Sequence, residues 1–161
     1  MTIMKRAVAI ILLLSVAFLA VSQDSATDAQ GEVDPLLYAI GAVGVANLYF
    51  SYSFLGSVAD GVAAGIYDPV TAEELADDAI SLNTSSRDVL TNLLETQNLA
   101  EPDREALGQM IEAHDLLIQE AWGLLSFIAD SSDSEDFRRY RDEAWNVISE
   151  LVGPGAAPAE E

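Results

Sequence analysis

Three hydrophobic patterns succeed one another along the chain. Residues 7–21 form an apolar run, and residues 35–59 form a longer stretch without a charge. From residue 72 onward, apolar side chains recur at alternating spacings of four and three. That last pattern is the seam spacing of packed helices. No run of alternating β-branched residues stands between turn signals, so no strand is expected.

Helix boundaries follow from caps and breakers. Asp34-Pro35 offers a cap and a proline at the first helical position, and no further proline occurs before Pro69, which predicts a first helix over 36–67. Thr71-Ala72-Glu73-Glu74 reads as a capping box opening a second helix over 72–98, with Leu75, Ala79, Leu82, Ser86, Val89 and Leu93 as its seam. Asn83-Thr84-Ser85-Ser86 is the weak point of that helix, because these side chains compete for backbone hydrogen bonds and favour a bend or a break. Pro102 opens a third helix over 102–129, where Leu107, Ile111, His114, Ile118, Ala121, Leu125 and Ile128 keep the spacing, and Met110, Leu117 and Leu124 widen the stripe. Ser132, three residues before Glu135, caps a fourth helix over 133–152, which carries Phe137, Tyr140, Ala144, Trp145, Ile148 and Leu151 to a stop at Gly153-Pro154. Four helices joined by short turns predict an all-α, up-down-up-down four-helix bundle over 35–152.

The flanks read differently. Lys5 and Arg6, the apolar run and the small residues Ala20-Val21-Ser22 make residues 1–22 a secretory signal peptide, the run being short for a full bilayer span. Residues 23–34 read as a flexible leader and 153–161 as a disordered acidic tail. The expected location is therefore extracytoplasmic, periplasmic or secreted.

The first bundle helix is the odd member. Its charge-free stretch is long enough to cross a bilayer, yet Asn47, Ser51, Ser53 and Ser57 interrupt it and no basic residue flanks it. A central helix buried among its neighbours is the favoured reading, with Gly41, Gly44, Gly56, Gly61 and Gly65 letting backbones approach closely. The alternative is a ligand groove or dimer seam lined by Tyr49, Phe50, Tyr52 and Phe54. Asn47 and Asp60 need partners if buried, and tyrosine hydroxyls are the expected ones.

Composition narrows the chemistry. Of 161 residues, 27 are acidic and seven basic, giving a net charge of −20, and there is no cysteine and a single histidine. Zinc fingers, iron–sulfur clusters, disulfides and thiol catalysis are thereby excluded. So is a phosphate-tracking nucleic-acid binder, which needs clustered bases. Cleavage after Ser22 leaves five arginines, no lysine and a formal charge of −22. Membrane contact after cleavage is not expected, because such a surface is repelled by anionic headgroups.

No candidate constellation survives as a catalytic, metal or cofactor site. Met110 and His114 are one turn apart on one helix and cannot ligate opposite faces of a haem, and Ile111 breaks the Glu-x-x-His pattern of di-iron bundles. Residues 130–141 imitate a calcium loop, yet Glu135 stands where glycine is needed and Arg141 where glutamate is needed, leaving only weak binding of divalent cations. The acidic pairs Glu73-Glu74, Asp77-Asp78 and Glu135-Asp136 read as solvated faces. Arg138, Arg139 and Arg141 read as intrahelical partners, Glu135 with Arg139 among them, with a local basic patch that docks an anion or the protein's own acidic surface as the alternative. His114 is expected to be a hydrogen-bonded core or rim histidine, with proton sensing as a sharper alternative.

The resulting expectation is a non-enzymatic exported bundle with no cofactor, acting through protein contact or self-association by its first helix, or as a structural envelope component. The alternative is a small-molecule binder holding an apolar ligand between helices near Tyr49, Tyr52, His114 and Trp122. The lysine-free acidic surface also suits salty water. Thermal unfolding is expected to shift upward as salt shortens the Debye length from about 10 Å to about 3 Å. A midpoint that stays flat across a salt series counts against that habitat.

Overall fold

The computed structural model describes residues 35–153, so the signal-peptide and leader assignments, and the tail beyond Gly153, lie outside the described residues. These residues form four helices with no strand among them: α1 Pro35–Ala63, α2 Pro69–Thr96, α3 Glu101–Ala129 and α4 Glu135–Val152. The all-helical expectation is met, and the fold is consistent with a four-helix bundle.

α1 stops four residues short of the expected Tyr67, and the cause is Gly65. Its φ of +66° is a left-handed conformation in which glycine alone is unstrained. There the Gly65 N–H donates to Val62 O, and the Ile66 N–H reaches back to Gly61 O at 2.8 Å, a Schellman closure. α2 then begins earlier than the capping box predicts. Asp68 is the cap, accepting from Thr71 N at 3.1 Å and Thr71 Oγ1 at 2.8 Å, and Pro69 fills the first position. The Ser132–Glu135 cap is also replaced. Asp130 accepts from Ser132 N and Oγ at 3.0 and 2.8 Å, closing the turn before α4.

α3 rather than α1 is the most deeply buried helix. It packs against all three others and buries ten residues, against six for α1. α1 also reaches the other three helices, whereas α2 and α4 do not pack on each other. Leu48, Leu55, Met110, Leu117, Leu124 and Ile148 are the largest apolar side chains excluded from water, each contributing about 1.5–3 kcal/mol. Buried Ala72, Ala76, Ala79, Ala113, Ala121 and Ala144 keep the helices close.

The α2 seam holds at Ala79, which is buried, and at Leu75 and Leu93, which pack on the core, but departs from its expected register at two positions. Leu82 and Val89 are exposed, and Asn83 and Leu90 take the inward positions. A template of apolar spacing cannot foresee an inward asparagine, which here is bonded to a buried histidine. The expected bend or break at Asn83–Ser86 is absent as a break, since α2 runs on to Thr96. Asn83 Nδ2 and Ser85 Oγ donate to the carbonyls of Ala79 and Ser81, one turn back, at 2.8 and 2.9 Å.

Where a described glycine faces a close neighbour, that neighbour is a side chain in three cases and a backbone in one, and Gly41 faces open space. The space at Gly44 is filled by Met110, at Gly56 by Arg141 and at Gly61 by Tyr67. Gly123 is the exception, because a Cβ there would stand 2.5 Å from the Phe137 backbone nitrogen at the start of α4. At Gly108, also within α3, a Cβ would meet nothing within 4 Å. Alanine at 108 is therefore expected to stabilise by about 0.5–1 kcal/mol. Alanine at 123 is expected to destabilise by about 1–3 kcal/mol despite its better helix propensity. Chemical denaturation of the two variants measures both, and shifts of the same sign contradict this account of the α3–α4 approach.

Candidate functional site

Two polar ties cross the apolar interior, and each forms because a polar side chain on a helix seam finds a partner on another helix. The first joins α2 to α3. His114 Nδ1 and Asn83 Oδ1 are 2.8 Å apart, both residues fully buried. Since the Asn83 amide nitrogen donates to Ala79 O, its oxygen is the acceptor and His114 Nδ1 carries the proton. The neutral ring then has Nε2 as an acceptor. Burial holds the imidazole down to about 4, with nearby Asp115 pulling it up and Arg87 pushing it down. Alongside, Asn47 Nδ2 donates to Ser86 Oγ at 3.2 Å and accepts from buried Ser51 at 3.4 Å, joining α1 to α2.

The second tie joins α1, α3 and α4. Arg141 Nη1 donates to Glu120 Oε1 at 2.7 Å and to the Tyr52 carbonyl at 3.0 Å. Its guanidinium lies 3.9 Å from the Tyr52 ring centroid, and glycine at 56 leaves room for it. Tyr52 in turn packs against Trp145 at 5.2 Å, with Tyr49 on the same indole at 6.4 Å. Glu120 is wholly buried, and its Oε2 has no hydrogen-bond partner. Burial pushes this carboxyl up to about 7, against the downward pull of Arg141.

The expected site residues are distributed over several surroundings. Asn47 finds serines rather than tyrosine hydroxyls, and Asp60 is exposed. Phe50 and Phe54 stack at 6.2 Å, with Phe50 exposed, while Tyr49 and Tyr52 sit against Trp145. Trp122 is 53% exposed, so it does not join Tyr49, Tyr52 and His114 around one ligand space. His114 instead lines an open groove of about 490 Å³ between α1 and α2, walled by Ile40, Val43, Val89 and Leu90. Asp136, rather than Glu135, pairs with Arg139, at 2.8 Å.

Sequence reasoning missed Glu120 and Asn83 as interior groups, and Arg141, expected to pair within its own helix, instead reaches Glu120 on α3 while remaining partly exposed. A glutamate three residues after Leu117 on an otherwise apolar stripe was the one available signal for the first. No group of three or more histidine, aspartate or glutamate side chains arranged to hold a metal occurs among the described residues. Comparisons of the chain with protein-family models, curated proteins and solved structures find no match.

The two buried titrating groups oppose each other in their pH dependence. Glu120 is raised above its ordinary 4.5, so its stabilising contribution is full below that value and is lost as pH rises through about 7. His114 is depressed below 6.5, so its contribution is full above that value and is lost as pH falls through about 4. Between 4.5 and 6.5 the slopes have opposite signs, each at most about 1.4 kcal/mol per pH unit. Relative to the parent chain, Glu120→Gln is expected to gain stability with rising pH in this window, and His114→Gln to lose it. Urea unfolding at its two ends reads the slopes, and two variants that merely parallel the parent refute the assignment.

Proposed function

We propose that this is an exported, acidic, up-down-up-down four-helix bundle without enzymatic activity, which acts by protein–protein contact, or as a structural envelope component, through the apolar outer side of α1. The observation that carries the reading is a mismatch in that helix. An 18-residue window of it has a mean hydropathy of 1.3, yet only 17% of that window is buried. Val43 and Phe50 stand well exposed on this helix, and exposed apolar surface of this kind marks interaction sites.

The favoured expectation of a mostly buried α1 is therefore replaced by a helix docked along one side. A docked helix is also a better reading than a bilayer span, although the length and composition of α1 suit one. The carbonyl of Tyr52, midway along α1, accepts from the Arg141 guanidinium, and a charged group on that flank is costly in lipid. The up-down-up-down topology draws support from registers: α1 residues 43–47 border α2 residues 85–90, and residues 50–54 border 78–82. Export rests on residues 1–22. Contact rather than catalysis is favoured because the interior histidine and glutamate are engaged in holding helices together.

Site-specific photo-crosslinking in the producing cell tests the contact surface. A benzophenone side chain at position 50 is expected to give one adduct of defined mass, a partner or a second copy, which a probe at the exposed Asp77 on α2 does not give. Identical patterns from both positions, or no adduct from position 50, overturn the reading.

A further inference from the structure

We propose that the groove between α1 and α2 is a binding site for a small apolar molecule carrying one hydroxyl or N–H donor, which it gives to His114 Nε2. The inference rests on a different observation from the contact surface around Phe50, although Val43 borders both. Its first support is shape and lining. A volume of about 490 Å³ lies within the range of about 300–1,000 Å³ usual for small-molecule sites, and most of the wall is aliphatic, from Ala39, Ile40, Val43, Val89 and Leu90.

Its second support is the state of the histidine that lines it. His114 is 1% exposed, so its ring meets solvent only where it lines the groove, and Nε2 is not among the water-excluded atoms that lack a partner. Nδ1 is committed as a donor to Asn83, whose own orientation is fixed by its bond to Ala79 O. Nε2 is left as a pure acceptor, and no hydrogen bond from a described residue reaches it. Of the other polar side chains in contact with the groove, Asn47 donates to Ser86, and the Ser85 hydroxyl donates to Ser81 O. One directional acceptor amid aliphatic walls selects one donor on an apolar body, and it disfavours anions and acceptor-only molecules. The charge-free residues 35–59 of α1 add no cation that would recruit an acid.

The test uses the whole exported chain and two aromatic probes of nearly equal size, 2-naphthol and 2-methoxynaphthalene, which differ in the donor. Fluorescence titration is expected to show 2-methoxynaphthalene binding about tenfold more weakly, the loss that follows from leaving a buried acceptor unpaired. Adding 2-naphthol is expected to move the ¹⁵N resonance of His114 Nε2 and leave Nδ1 in place. Val89→Arg, at a position 68% exposed and so without consequence for folding, is expected to weaken 2-naphthol at least tenfold. Equal affinity for the two probes, an unmoved Nε2 resonance, or full affinity in Val89→Arg overturns the proposal.

Discussion

The structure depends on one guanidinium being shared. Arg141 reaches inward from α4 to Glu120 on α3 and to the backbone of α1 at Tyr52, so one cation satisfies groups on two other helices. An isolated buried carboxylate is costly, and here its partner is held by a charge-assisted bond and an aromatic face. The same contact explains local sequence choices. Gly56 must lack a side chain to admit the guanidinium, and α4, the shortest helix, must reach Arg141 within two turns of its start. That α1 is tied here and by Asn47, rather than by broad burial, accounts for a helix that is both docked and largely bare.

α1 is divided as a result. Its buried residues all lie from Leu48 onward, and the preceding thirteen positions include none. The groove lies beside that shallow half, beyond the Asn47–Ser86 bond. Incomplete packing at one end of the helix thus opens a way down to the interior histidine, while the other end remains fixed.

Most of the architecture was legible from spacing. Four helices, the turn regions and the stripes of α3 and α4 follow from apolar residues at three and four apart, because amphipathic burial is a local, periodic signal. The α2 seam was legible at Leu75, Ala79 and Leu93 but not at Leu82 and Val89, the better hydrophobes, which stay exposed while Asn83 turns inward to pair with His114. Glu120 and Arg141 were hidden for the same reason. A charge in sequence reads as surface, and what draws Glu120 inside is a partner on another helix, 21 residues away. The end of α1 was misplaced because proline and aspartate at 68–69 outweighed Gly65, whose φ of +66° is the actual stop. Of the candidate side chains, His114 and Asn47 do border one groove, whereas Trp122 turns away from it.

The two tryptophans stand in contrasting surroundings. Trp122 is largely in water, while Trp145 is held among Tyr49 and Tyr52 of α1, beside Arg141. The protein consequently carries its own pair of optical reporters. Soluble quenchers reach the first more readily than the half-buried second, so the less accessible fraction of the emission follows whether α1 is seated on the other three helices. The seating of the helix that carries both the bare apolar side and the groove can be followed without attaching any dye.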